Sequence, residues 1–395
     1  MASVVDTSVK YIHSGMVGVP VFNGVPGSLV GLLNAFLITG FDFKSATSLT
    51  VASGVATLSF AGQHSAAVDT VILVDGSSID ALNGEQKVTA IGSGIVKFAT
   101  AAPDGTATGA ITFKMAAAGW TQPFTGTNVA TYKSADPAST GMILRVNDTA
   151  TTLARVVGYE SMTDIDTGSG PFPTPVQVSG GGYWAKSSVA NTNATSWVLF
   201  ADGRKLIFHN AAYYSSNATY TSGVTRGFGD DIALRPGGDP YACSISYTAA
   251  NVPYDYAGGL DGIYDTYQAM PRGYTGLGSC VIHTLRPYAG LASSQSGIDG
   301  YMGAFPSVVD GGLRLGRKFF SSATSNQPPR SDLPGLYHVP QTGVFDAFKT
   351  RDIITGTGSL AGRKLMALNP GTSIQSTPTA GSCGVSFVDI TGPWR

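Results

Sequence analysis

The sequence predicts an all-β protein: a small N-terminal β-barrel or sandwich, a larger β-sandwich-like region after it, and one short N-terminal helix. Three observations predict this. Charged residues make up 12% of the chain, against about 25% in an ordinary soluble domain. The 51 glycines cut the 395 residues into short runs. Within those runs apolar and polar residues alternate with the two-residue period of a half-buried strand. A hydrophobic share of 43% is enough to build a core, so the low charge does not mean disorder.

Residues 1–44 read as an arm ending in a helix. An extended start and a turn containing Pro20 and Pro26 lead into GSLVGLLNAFLITGFDF, Gly27 to Phe43. There Leu29, Leu32, Leu33, Phe36 and Leu37 recur at three- and four-residue intervals, Ser28 is placed to cap the first turn, and Gly40 permits a left-handed exit. The stretch is shorter than the roughly 20 residues needed to cross a bilayer and lacks a basic flank, so neither membrane insertion nor a secretory leader is expected. Its apolar stripe is expected to pack on a neighbouring domain or subunit, which makes these five side chains interface candidates.

Residues 45–116 form the small barrel or sandwich. The runs SLTVASGVATLSF, DTVILVD, QKVTAI, GIVKFAT and GAITFKM are strand-length and separated by turn residues. The expected interior comprises Val51, Val55, Leu58, Val71, Leu73, Val88, Ile91, Val96, Phe98, Ile111 and Phe113. Residues 117–395 continue as strands, among them MILRVND, SWVLFAD, KLIFHNAAYY and GVSFVDI, with no helix alternating between them. That pattern excludes doubly wound α/β folds and leaves one large sandwich or two closely packed β units.

The chemistry of the side chains is restrained. A formal net charge of −1 argues against nucleic acid as a partner, since phosphate binding needs clustered Lys and Arg. The densest basic run, Arg314, Arg317 and Lys318, reads as the solvated end of a strand. No nucleophile elbow, phosphate-binding loop, zinc-protease motif or paired C-x-x-C occurs, so no cofactor is expected. His13, His64, His209, His283 and His338 are scattered singly, and Cys243, Cys280 and Cys383 read as buried thiols.

Two acidic clusters stand out. Asp164 and Asp166 in TDIDTGSG are the metal candidates, as hard oxygen ligands for Ca²⁺. Asp230, Asp231 and Asp239 in GFGDDIALRPGGDPY could divide acid and base work on a glycosidic bond. Asx-turn capping of Gly-rich loops explains both clusters more economically. The stretch from Tyr241 to Tyr274 is rich in tyrosine, whose flat apolar face and polar tip suit subunit contacts, sugar stacking or a core under long loops. Tyr254, Tyr256, Tyr264 and Tyr267 are its interface candidates.

The opening VKYIHSGMVGVPVFNGVPGSLVGLLNAFLITGF is similar to the start of a family of tailed-bacteriophage and prophage virion proteins, tail- or baseplate-associated. The segments GWTQPFTGTNVATYKSADPASTGMILRVNDT, ARVVGYESMTDIDTGSGPFPTPVQVSGGGYW, LPGLYHVPQ, AGRKLMAL and FVDITGPWR resemble the same family in the same order. Separately, GQHSAAVDTVILVDGSSIDALNGEQKVTAIGSGIVKFAT resembles a small β-module of phage tail and baseplate proteins. The resemblance implies a virion location, a non-enzymatic structural role in tail, baseplate or neck, and partners that are other virion proteins, copies of the same chain and a host-surface glycan or protein. It transfers no active-site residue. A head decoration or head-fibre protein, a receptor-binding adhesin and a wall-degrading glycosidase are the alternatives.

Overall fold

The computed structural model describes residues 3–212, 222–253, 258–261, 267–289, 297–323, 328–371 and 383–395. The chain is all-β as its composition predicts, with large antiparallel sheets, a closed barrel and one short helix near the start. It enters as strand β1 (Lys10–His13), then forms helix α1 (Ser28–Leu33), which continues as a π-helical stretch over Asn34–Thr39. Gly40, at φ 69°, provides the left-handed exit. The start of the helix differs from expectation. Ser28 donates its hydroxyl to the Asn23 carbonyl, and the N–H groups of Leu29 and Val30 are instead accepted by Asp148 Oδ2 at 2.7 and 3.1 Å. An aspartate side chain far along the chain thus replaces the local cap.

The barrel is formed by β2 (Phe41–Ala52), β3 (Val55–Phe60), β4 (Val71–Asp75), β5 (Gly84–Gly92), β6 (Ile95–Ala99) and β8 (Thr112–Met115), with β7 (Gly105–Ala107) added beside β2. Strand β2 closes the ring by changing partner. Its first half pairs with β8 and its second half with β3, with a register shift between Ala46 and Ser48. The turn from β2 to β3 runs through Ser53 and Gly54, both at positive φ, as a two-residue hairpin of right-handed twist requires.

Most of the expected interior is inside, but three positions are not. Val55 and Ile91 are exposed and Leu73 is only half-buried, while Ala56, Ile72 and Val74 lie in the core. In apolar runs such as VILVD either parity satisfies the pattern, and a one-residue choice exchanges the faces. In β5 a register shift between Val88 and Ala90 re-aims the strand after Val88, which turns Ile91 outward.

The rest of the described chain forms two large antiparallel sheets and a small two-stranded one, Ser161–Met162 with Gly168–Ser169. A 13-stranded sheet begins with β1 against Trp197–Ala201 and runs through Lys205–Asn210, Val224–Asp230, Cys243–Ser246, Gln268–Met270, Val281–Pro287, Gly316–Ser322 and Ser331–Val339. It ends with Val385–Asp389, Lys364–Leu368 and Ile353–Thr355. A 6-stranded sheet is centred on Val129–Ser134, Ile143–Asn147 and Leu153–Tyr159. Strands Trp197–Ala201, Lys205–Asn210 and Val224–Asp230 are buried at every residue, which places them in the interior with both faces covered.

Aromatic hydrogen bonds join the two sheets. Trp184 donates Nε1–H to the Ser246 carbonyl at 2.7 Å and Trp120 donates to the Asp202 carbonyl at 3.1 Å. Helix α1, the barrel interior and both sheets share one continuous apolar core.

Burial also fixes three histidines in the neutral form. Burial, assisted by Lys318, lowers His338 to about 3. Burial with Arg330 lowers His283 to about 4, and burial with Arg351 does the same to His13. His338 Nε2–H donates to the Gly297 carbonyl at 2.6 Å, which only the neutral tautomer carrying that proton, or the cation, can do. Unfolded, each ring protonates at its ordinary value of 6.5, so the unfolded chain binds more protons between that value and the folded one. Stability therefore falls as pH is lowered through this window, with a slope of up to about one proton per ring. Urea midpoints measured at neutral pH and near pH 5 are expected to separate in the wild type, and to separate less in His338→Leu.

Candidate functional site

One end of the large sheet carries a groove of about 580 Å³. Its walls come from distant parts of the chain. Tyr288 follows strand Val281–Pro287, Arg317 lies on Gly316–Ser322, Tyr337 on Ser331–Val339, Arg363 precedes Lys364–Leu368, and Asp389 and Trp394 come from the segment that follows Val385. These strands are neighbours in the sheet, and adjacency brings together what the sequence separates. Gly335, at φ 71°, lies beneath the Trp394 ring, and a Cβ there would enter the indole. Trp394 Nε1–H is in turn accepted by the Asp389 carbonyl at 2.7 Å, so the ring is fixed in place.

Two acids hold the polar groups of the groove. Asp332 accepts from the Tyr288 hydroxyl at 2.7 Å on one oxygen and pairs with Arg317 at 3.3 Å on the other. Asp389 accepts the Thr391 N–H at 2.8 Å on one oxygen and pairs with Arg363 Nη1 on the other. Both acids are buried, while Tyr288 is 48% exposed and the Arg317 side chain 60% exposed. Burial, with the Asp332 hydrogen bond, pushes the Tyr288 hydroxyl up to about 12. The open face therefore presents guanidinium N–H groups, neutral tyrosines and an aromatic edge, with the carboxylates behind them fully engaged as acceptors. The chemistry of such a surface suits a flat, hydroxylated ligand that brings its own acceptors, best of all a carboxylate held by a guanidinium fork.

Among the described residues, those singled out from the sequence fall elsewhere, with one exception. Leu29, Leu32, Leu33, Phe36 and Leu37 are all 0% exposed inside the chain's own core, so this stripe packs within the subunit rather than presenting a face to another. Tyr254, Tyr256 and Tyr264 lie outside the described residues. Tyr267 is 40% exposed at φ 66°, with its ring 5.9 Å from that of Tyr247.

The acids are occupied by other partners. Asp164 accepts the N–H groups of Asp166 and Thr167, each at 2.8 Å, and these bonds hold it below the usual carboxylate range. Asp166 pairs with Arg145 at 2.6 Å. Asp230 binds Thr140, Asp231 binds Lys205 and Asp239 binds Arg330, so three acids of one short segment go to three separate partners. The exception is Arg317, expected at a solvated strand end and found on the groove wall. Lys318 beside it is buried and donates to the Leu260 carbonyl at 3.0 Å. All three cysteines are buried, and burial pushes the Cys280 thiol up to about 12.

No family model and no curated protein matches the chain. Among solved structures, the phage phi92 endosialidase aligns with 89% of this chain at 10% identity and a TM-score of 0.18. The alignment covers 52% of that protein's length, and at this level of similarity no shared fold follows.

Proposed function

We propose that the chain is a non-enzymatic structural subunit of a tailed-phage virion, tail-associated and present with copies of itself and other virion proteins, and that its groove contacts a host-surface saccharide. One observation carries the reading. LPGLYHVPQ, AGRKLMAL and FVDITGPWR, three separated segments that resemble the virion family, supply Gly335, Tyr337, Arg363, Asp389 and Trp394 to a single groove. Binding is favoured over hydrolysis because Asp332 and Asp389 have both oxygens engaged, which leaves neither poised as a general acid or base. Exposed donors held by buried acceptors favour a carboxylate-bearing oligosaccharide over a neutral one.

The test uses the purified full chain and intact particles. An antibody against the chain is expected to label the tail in electron micrographs. The chain is expected to bind acidic oligosaccharides on a glycan array, with a loss of about tenfold or more in the R317A/R363A double variant. Absence of the chain from purified particles would remove the virion role. Binding that the double variant leaves unchanged would remove the groove.

A further inference from the structure

Lys186 and Asp148 form the most secluded polar pair of the six-stranded sheet. Lys186 follows strand Gly182–Ala185 and Asp148 follows Ile143–Asn147, and both side chains are 0% exposed. The arrangement of their atoms is more specific than that of an ion pair. Nζ donates to the carbonyls of Val25 at 2.7 Å and Ala150 at 3.0 Å. It also lies against Asp148 Oδ1, in contact but outside hydrogen-bonding geometry. Asp148 Oδ2 accepts two backbone N–H groups, from Leu29 at 2.7 Å and Val30 at 3.1 Å.

With two N–H groups placed on carbonyls, Nζ has only one direction left, and that direction is taken up by the Asp148 carboxyl group, so among the described residues this side of the amine and Oδ1 of the acid have no other partner to turn to. Burial favours the neutral partners on both sides, since it raises the Asp148 carboxyl and lowers the Lys186 amine, each partly offset by attraction to the other. A desolvated lysine is a nucleophile. The Leu29 and Val30 N–H groups are placed to hold the negative charge that an attack on Cγ would develop on Oδ2. The pair is already in contact, so little further ordering is required.

We infer that Lys186 and Asp148 condense to an intramolecular amide. Nζ bonds to Cγ, the Cγ–Oδ1 bond breaks, and Oδ1 leaves as water. The leaving hydroxyl of the protonated carboxyl takes one proton from Nζ, and no oxidant, reductant or cofactor takes part. In the product Oδ2 is the amide oxygen and keeps its two backbone donors, while the remaining N–H keeps one of the Val25 and Ala150 carbonyls. The link ties the six-stranded sheet across two of its strand ends, beside the start of α1.

Intact mass of the denatured full-length chain tests the bond. The wild type is expected to be lighter than its sequence by one water, and a protease digest to contain a branched peptide joining the segments that hold Asp148 and Lys186. Lys186→Met, and separately the charge-preserving Lys186→Arg, are expected to restore the full mass. A folded wild-type chain at full sequence mass overturns the inference. So does a deficit that persists in the variants, since that places the dehydration at another aspartate. If a variant does not fold, the branched wild-type peptide decides alone.

Discussion

Lys205→Met is expected to destabilise the protein by about 3–5 kcal/mol, because it strips the cation from an acid that has no access to water. The side chains of Lys205 and Asp231 are both 0% exposed and 2.7 Å apart. The same ammonium also serves the Gly229 carbonyl at 3.0 Å and Ser244 Oγ at 2.8 Å, so three acceptors lose their donor at once. Burial already raises Asp231 to about 6, with Lys205 holding it down from a still higher value. Without the lysine the folded state keeps the carboxyl protonated at higher pH than the unfolded chain does. The variant then regains stability relative to wild type as pH is lowered toward about 6, below which both folded proteins carry the same proton.

Urea unfolding at neutral pH and near pH 4 measures both effects, and the gap between the two proteins is expected to narrow in acid. K205M/D231L is expected to lose less than K205M alone, because it removes the orphaned charge together with its partner. Equal losses in the single and double variants would show that the pair acts through its volume and not its charge.

Trp184→Ala is expected to cost a further large amount, about 3–5 kcal/mol from the cavity with about 1–3 kcal/mol for the Ser246 carbonyl left without its donor. The indole is fully buried, lies 6.1 Å from the Phe208 ring and carries the 2.7 Å hydrogen bond between the sheets. Trp184→Phe separates the two contributions, since it keeps most of the volume and loses only the N–H. Its urea midpoint is expected to fall between those of wild type and the alanine variant. A phenylalanine variant as unstable as the alanine one would assign the whole effect to the hydrogen bond.

What the sequence reveals and what it hides follow one physical division. Local signals are legible. The alternation of β2, β3 and β6 and the spacing of Leu29, Leu32, Leu33, Phe36 and Leu37 each arise within a few residues and survive folding. Signals that need a distant partner are not legible. Ser28 has the chemistry of a cap, yet Asp148 does the capping, and nothing near Ser28 indicates it. Lys186 and Lys205 look like surface lysines at strand ends, and their side chains are fully buried because both faces of their surroundings are covered. The groove is the extreme case. Tyr288, Arg317, Tyr337, Arg363 and Trp394 are unremarkable where they stand, and only the order of strands in the sheet assembles them.

Strand β1 has a consequence for how the molecule comes into being. Its hydrogen-bonding partner is Trp197–Ala201, so the opening segment cannot settle until that far stretch has left the ribosome. Until then Tyr11 and Ile12, which end at 3% and 1% exposure, face solvent beside an unpaired backbone. Synthesis proceeds at about 5–20 residues per second, and for that interval β1 waits without its partner. A nascent chain stalled short of residue 197 would therefore display an unpaired, apolar strand, which suits it for capture by a chaperone.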